Sequence, residues 1–203
     1  MDRPKTTGAM SEAELAELLS QVRAGNADAW GELYTRHAPA IFRFCRRVLP
    51  AREDAEDATM EIFMKVRQKI GSYDSSKPFM AWLYTVAGNH CWDMLRRRRI
   101  RQDLETGGIE TMPLEHPDPG QLERMIDERA GKDVRAGLAQ LPDRSRMALT
   151  LRYFAEMTYD EIAETLGIRR EYVGVLLLRA RHQLRAALTD SGRLPEFSTE
   201  RGS

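Results

Sequence analysis

Apolar residues recur every three or four positions along most of this chain, while the strict alternation of a half-buried strand is nearly absent, so the pattern predicts an all-α protein. Ser11 followed by Glu14 makes a capping box for a first helix near 11–24, which Gly25 ends. Asn26 can cap a second helix carrying Trp30, Leu33 and Tyr34, and Pro39 opens a third to about Leu49 with Ile41, Phe42 and Cys45 inward. Pro50 closes that segment. Over 52–70, Ala55, Ala58, Ile62, Val66 and Lys69 or Ile70 share one arc of a helical wheel, and Glu53, Asp57, Met60, Glu61, Met64 and Gln68 occupy the opposite one. Pro78 at the first helical position then starts a long helix to about Arg99, with Phe79, Leu83, Val86 and Met94 directed at the core.

From Ile100 to about Gly120 the pattern stops. Gly-Gly, three prolines and scattered acids cannot bury enough apolar surface to hold a fixed fold, which predicts a flexible linker. Helices resume at 122–139, 143–154, 158–166 and 169–188. The chain therefore divides into a disordered start (1–10), a first helical domain (11–99), a linker (100–121), a second small helical domain (122–188) and a disordered tail (189–203).

The second domain holds the most specific local pattern. Thr158 and Glu161 form another capping box, Gly167 breaks the short helix, and a longer one begins at once near Arg169. Ala163 is small where the two helices cross, Gly167 follows four later and Val173 six after that, with Ile162, Leu166 and Ile168 between them. This is the spacing of a helix-turn-helix, whose second helix presents its N-terminal residues to a major groove. An ordinary helical hairpin needs the same apolar spacing without touching nucleic acid. Arg169, Arg170, Arg179, Arg181 and Arg185 favour nucleic acid, because phosphate contacts supply most nonspecific affinity.

Charge changes the picture only locally. The 31 basic and 31 acidic residues cancel to a net charge of zero, so any nucleic-acid contact must come from clusters. Residues 96–99 with Arg101 form one, at the end of the long helix of the first domain, where the helix dipole also favours cations. Thr85, Asn89, Trp92, Arg96 and Arg99 make a strip of hydrogen-bonding, aromatic and cationic groups that suits unstacked, single-stranded DNA. A solvated helix end is the competing reading. Asp93 is expected to pair with Arg97 one turn on.

Other chemistries find little support. Cys45 and Cys91 lack the spacing of a zinc or redox motif and read as buried thiols of a reducing compartment. His37, His90, His116 and His182 form no nucleophile, metal or phosphate-loop pattern, so neither catalysis nor a cofactor is expected. No run reaches the roughly 18 apolar residues of a membrane span, and the first ten residues lack a signal-peptide core, which points to the cytoplasm and to no membrane insertion.

Taken together, WGELYTRHAPAIFRFCRRVL, AEDATMEIFMKV, KPFMAWLYTVAGNHCWDMLRRRR, LAQLPDRSRMALTLRYFAEMTYDEIAETLGI and RARHQLRAAL resemble the extracytoplasmic-function group of bacterial sigma factors, in that family's order, over roughly residues 26–188. The resemblance implies a non-enzymatic factor that binds core RNA polymerase through the clamp helices of its largest subunit, melts the minus-ten element with its first domain, and reads the minus-thirty-five element with its second. It maps polymerase binding onto Asp57, Met60, Glu61, Met64 and Gln68. Minus-ten contact maps onto Ser72, Tyr73, Asp74 and Lys77 of a specificity loop, and onto Asn89, Trp92, Arg96 and Arg97 of the following helix. Minus-thirty-five contact maps onto Thr158, Arg169, Arg170, Glu171, Tyr172 and Arg179, and an anti-sigma factor is a further implied partner.

The chain departs from the family pattern at two places. Met60 stands where the family usually has Gln, and Gly174, Val175 and Leu176 replace a Lys, Ser, Arg run in the recognition helix. Glu171, Val175, Leu178 and His182 then line one partly apolar outer face, open to an anti-sigma factor, a second copy or another part of this chain, or to thymine methyl groups. A helix-turn-helix repressor or activator, dimerising through its first domain, is the alternative from a different functional class.

Overall fold

A computed structural model of the chain describes residues 10–106 and 131–190, and every regular element among them is helical. Helix α1 (Glu12–Arg23) starts where expected: the Ser11 hydroxyl accepts from the Glu14 backbone N–H at 3.2 Å, and the Ser11 N–H donates to the Glu14 carboxylate at 2.8 Å. Its Leu18, Leu19 and Val22 are buried, and the helix lies against α2 (Ala27–Val48).

Helix α2 corrects the expectation of two helices divided at Pro39, because Pro39 lies inside one continuous helix. A proline removes one backbone donor and crowds the preceding turn. Here Leu33 on one side, and Ile41, Phe44, Cys45 and Val48 on the other, are all essentially inaccessible, so burial on both flanks holds the helix together across the proline. Phe42, expected inward, is only half-buried, and Phe44 takes its place in the core.

Helix α3 (Arg52–Lys69) buries the arc its sequence predicts, with Ala55, Ala58, Ile62 and Val66 fully covered and Phe63 beside them. Ile70, not Lys69, completes the stripe. Phe63 receives the ring edges of Trp30 at 6.2 Å and Tyr34 at 4.8 Å, which fixes α3 against α2. A 3-10 turn, Ile70–Ser72, leads through an exposed loop to α4 (Phe79–Thr106). Leu83, Ala87, Cys91 and Leu95 of α4 face the core, and Cys91 Sγ lies 3.7 Å from Cys45 Sγ on α2.

Helix α4 also corrects the expected linker boundary, running past Arg99 to Thr106. The residues 100–106 are IRQDLET, mostly good helix formers, and the breaker pair Gly107-Gly108 follows them. The expected disordered start over 1–9, the linker over 107–121, the helix over 122–130 and the tail from 191 lie outside the described residues.

The second unit consists of α5 (Gly131–Ala139), α6 (Asp143–Tyr153), α7 (Tyr159–Leu166) and α8 (Arg170–Asp190). Gly167 sits between α7 and α8 at φ 62°, a left-handed conformation that glycine adopts without a side-chain clash. Ile162, Leu166, Val173, Leu176, Leu177 and Ala180 close the shared core behind that turn. The two units are packed together, α2 against α5 and α6, and α4 against α6 and α7.

Two imidazoles sit in the packing of the first unit. His37 lies edge-on to Phe79 at 5.2 Å, and burial followed by the nearby Arg36 charge holds it below the ordinary imidazole pKa. His90 is lowered too, first by burial and then by the Lys65 ammonium. With both folded pKa values depressed, the unfolded chain takes up protons first, so their stabilisation is complete above about pH 6.5 and is lost as pH falls toward the folded values. The thermal midpoint should therefore drop as pH is lowered from about 7.5 to about 5.5, with a smaller drop in the double variant His37→Gln, His90→Gln. Equal drops would show that other groups carry the acid response.

Candidate functional site

Helix α3 turns its polar arc to solvent. Asp57, Met60, Glu61, Met64 and Gln68 are all exposed, Met60 and Met64 at 59% and 60%. Asp57, Glu61, Met64 and Gln68 follow one another at steps of four, three and four, with Met60 next to Glu61 and four before Met64, so the row is continuous. Two unbranched thioethers in the open among carboxylates and an amide make an adaptable surface, suited to contact with another protein.

The loop after α3 is held from behind by α1. Arg23 Nη2 donates to the Tyr73 carbonyl at 2.9 Å, and its Nε to the Ile70 carbonyl at 3.3 Å. Tyr73 itself is buried, 5.4 Å from Phe79 and 5.3 Å from Trp82, with its hydroxyl donating to the Lys77 carbonyl. Of the four loop positions expected to meet DNA, Ser72, Asp74 and Lys77 are at the surface and Tyr73 is the anchor beneath them. Asp74 accepts from the Ser76 N–H at 3.0 Å, which rounds the loop and keeps its carboxyl below the usual carboxylate pKa.

On α4, Asn89, Arg96, Arg97 and Arg99 are exposed, and Thr85 and Trp92 are half-buried. The expected Asp93–Arg97 pair is not formed side chain to side chain. Arg97 Nε donates to the Asp93 carbonyl at 3.2 Å, while the Asp93 carboxylate faces Arg96 at 4.0 Å. The three-residue step suits Arg96 because the Asp93 side chain is short, and the long Arg97 stem folds back onto its own helix. Asp54, Glu61, Met94, Arg97, Arg98 and Arg101 line one shallow groove, so the outward arc of α3 and the cationic end of α4 adjoin.

In the second unit the capping box of α7 forms, with Thr158 and Glu161 reciprocally bonded, and this commits the Thr158 hydroxyl to the backbone. Arg169, Arg170, Glu171 and Tyr172 are exposed together at the start of α8. Arg170 Nε is 2.8 Å from Asp160, a bond that ties the two helix starts. Arg179 is not part of this group: it is half-buried, and its Nε and Nη2 are enclosed without a hydrogen-bond partner among the described residues. Val175 and Leu178 are half-buried, and a Cβ at Gly174 would lie 3.6 Å from the Tyr159 ring. That is ordinary van der Waals contact, so the packing around Gly174 does not explain the glycine.

Several residues here were not singled out by sequence reasoning. Gly88 is where α4 meets the second unit; a Cβ there would stand 2.9 Å from Leu151 Cδ2 and 3.3 Å from Thr165 Cγ2. Around it, Arg144 stacks 5.6 Å above Trp92 and Arg47 stacks 3.7 Å above Phe154. His90 lies under the α3 surface, bonded to Lys65. Its spacing from Leu83 and Ala87 on the wheel was the available signal. Among the described residues no group of three or more His, Cys, Asp and Glu could hold a metal ion, and no helix is long and apolar enough to cross a membrane.

Comparison with known proteins covers both units. Residues 33–100 match the family model for Sigma-70 region 2, and residues 137–186 that for Sigma-70, region 4. The chain is 35% identical over 158 residues to the ECF RNA polymerase sigma factor SigE of Mycolicibacterium smegmatis, a match spanning 77% of this chain and 60% of that protein. It is 32% identical over 160 residues to the ECF RNA polymerase sigma factor SigM of Bacillus subtilis, spanning 76% of this chain and 92% of SigM. The structure of CnrH, an RNA polymerase sigma factor of Cupriavidus metallidurans, in complex with the cytosolic domain of CnrY aligns with a TM-score of 0.55 at 26% identity, over 86% of this chain and 96% of that one.

The close approach at Gly88 can be tested by filling it. Gly88→Leu should lower stability by about 1–3 kcal/mol in chemical denaturation and increase the radius of gyration in small-angle X-ray scattering as the second unit is pushed off α4. An unchanged radius would mean that Leu151 and Thr165 yield without separating the units.

Proposed function

The chain belongs to the extracytoplasmic-function sigma factors, which direct promoter-specific transcription initiation by RNA polymerase, and from that premise we propose how its surfaces divide the work. The observation that carries the reading is the juxtaposition in the first unit of two unlike exposed rows. The mixed acidic and methionine arc on α3 binds core polymerase. The cationic strip on α4, with the loop at Ser72, Asp74 and Lys77, takes the opened minus-ten strand.

The strip has the chemistry for an unstacked strand. Arg96 and Arg97 supply backbone neutralisation, Asn89 supplies donors and acceptors for a base edge, and Trp92 supplies a stacking face. Arg144 of the second unit stacks on that same ring, so DNA reaches Trp92 by displacing it. Upstream contact falls to the start of α8, where Arg169, Arg170, Glu171 and Tyr172 stand in the open at the position from which a recognition helix enters a major groove. Arg179 is set aside from that contact by its enclosure. The bond-making chemistry is the polymerase's, the chain itself is not an enzyme, and its place of action is the cytoplasm. An anti-sigma factor is the further partner, by analogy with CnrH, which is held in its solved structure by the cytosolic domain of CnrY.

In vitro transcription with core polymerase over a genomic promoter library tests the assignment: addition of the chain should yield start sites sharing upstream and downstream elements. The variant Asp57→Ala, Glu61→Ala, Gln68→Ala should bind core polymerase at least about tenfold more weakly. In the holoenzyme, Arg96→Ala with Arg97→Ala should flatten the log-log salt dependence of promoter binding by about one unit per lost phosphate contact. An unchanged slope would return both arginines to a solvated helix end.

A further inference from the structure

His90 belongs to neither exposed row, yet it lies directly beneath one of them. Its side chain is 1% exposed, turned from α4 into the contact with α3. Nδ1 lies 2.7 Å from Lys65 Nζ. An ammonium has only donors to offer, so Nδ1 accepts, and the proton of the neutral ring is on Nε2. That Nε2 is enclosed and has no hydrogen-bond partner among the described residues. The Glu61 carboxylate stands beside it, with Oε2 at 3.5 Å.

The arrangement is directional. From α3 the ring faces Lys65 and Glu61, and from α4 it meets the fields of Arg97 and Asp93. Burial, then Lys65, keep the ring neutral at physiological pH, and Glu61 pulls weakly the other way. Lys65 therefore sets the tautomer, and the tautomer leaves a donor on the nitrogen beside a carboxylate whose side chain is 61% exposed. A buried N–H with a mobile acceptor a few tenths of an ångström beyond bonding range is satisfied by a small rotation of that acceptor.

We propose that His90 is a positioning residue for polymerase binding: its Nε2–H holds the Glu61 carboxylate in the orientation that core polymerase meets, with Lys65 fixing the ring. The proposal rests on the reading of the α3 row as the polymerase-binding face. Acidification would reverse the arrangement. A protonated ring cannot accept from Lys65, and an imidazolium would draw Glu61 inward and away from the partner.

The test is a double-mutant cycle on the full chain, reading affinity for core polymerase. His90→Leu should weaken binding about threefold to tenfold, Glu61→Gln by a similar factor, and the double variant no more than Glu61→Gln alone. His90→Gln, whose amide N–H can reach the same carboxylate, should recover most of the loss. Losses that multiply in the double variant, or a His90→Leu protein with undiminished affinity beside a weakened Glu61→Gln protein, would overturn the proposal.

A second readout needs no polymerase. By NMR titration of the His90 ring, Glu61→Gln should lower its pKa further and Lys65→Met should raise it. A ring that ignores Glu61→Gln overturns the His90–Glu61 link alone, and this arm carries the test if His90→Leu fails to fold. Glu61→Gln with no effect on polymerase affinity, while the ring still responds, overturns the reading of the α3 row and with it the role proposed for His90.

Discussion

Everything in this molecule depends on how α4 is shared. Its inner face, at Leu83, Ala87, Cys91 and Leu95, completes the core of the first unit against α2 and α3. A second line through Gly88 and Trp92 meets α6 and α7 of the second unit. Only what is left, chiefly Asn89 and the arginines from Arg96 onward, faces outward as the cationic strip. A helix used on three sides is rigid, and rigidity is what a surface needs in order to hold a strand out of its duplex without itself yielding.

The same sharing explains why the two exposed rows can act together. The α3 arc is fixed to α4 by the packing of the two helices and the Lys65–His90 bond between them, and the groove lined by Glu61 and Arg97 shows the rows meeting at one edge. On the proposed assignment, a polymerase bound on one row presents its DNA to the other. Contact with the second unit works in the opposite sense. It covers part of the strip, where Gly88 lies under Leu151 and Thr165 and Arg144 stacks over Trp92.

Much of this was legible in the sequence, because capping and periodicity are local. The Ser11–Glu14 and Thr158–Glu161 boxes, the buried arc of α3 with its exposed opposite, and the Gly167 turn all follow from residues within one or two turns of each other. What the sequence hid was set by partners distant in the chain. Pro39 reads as a helix start until Leu33 and Ile41 are seen to be buried on either side of it. Tyr73 reads as a base-facing aromatic until Arg23, fifty residues earlier, pins its carbonyl. His90 reads as one of four scattered histidines until Lys65 is placed beside it. Gly88, in a helix interior, carries no pattern until Leu151 and Thr165 come to rest on it.

The central claim is that one rigid unit carries polymerase binding on α3 and strand capture on α4. Permanganate reactivity of promoter thymines in complexes with core polymerase tests it most directly. The wild-type chain should make thymines of the minus-ten element reactive. Arg96→Ala with Arg97→Ala should leave polymerase bound but the thymines protected, whereas the Asp57, Glu61 and Gln68 triple alanine variant should lose both together. Full thymine reactivity with the two arginines removed, or undiminished polymerase binding with the α3 row removed, would contradict the account.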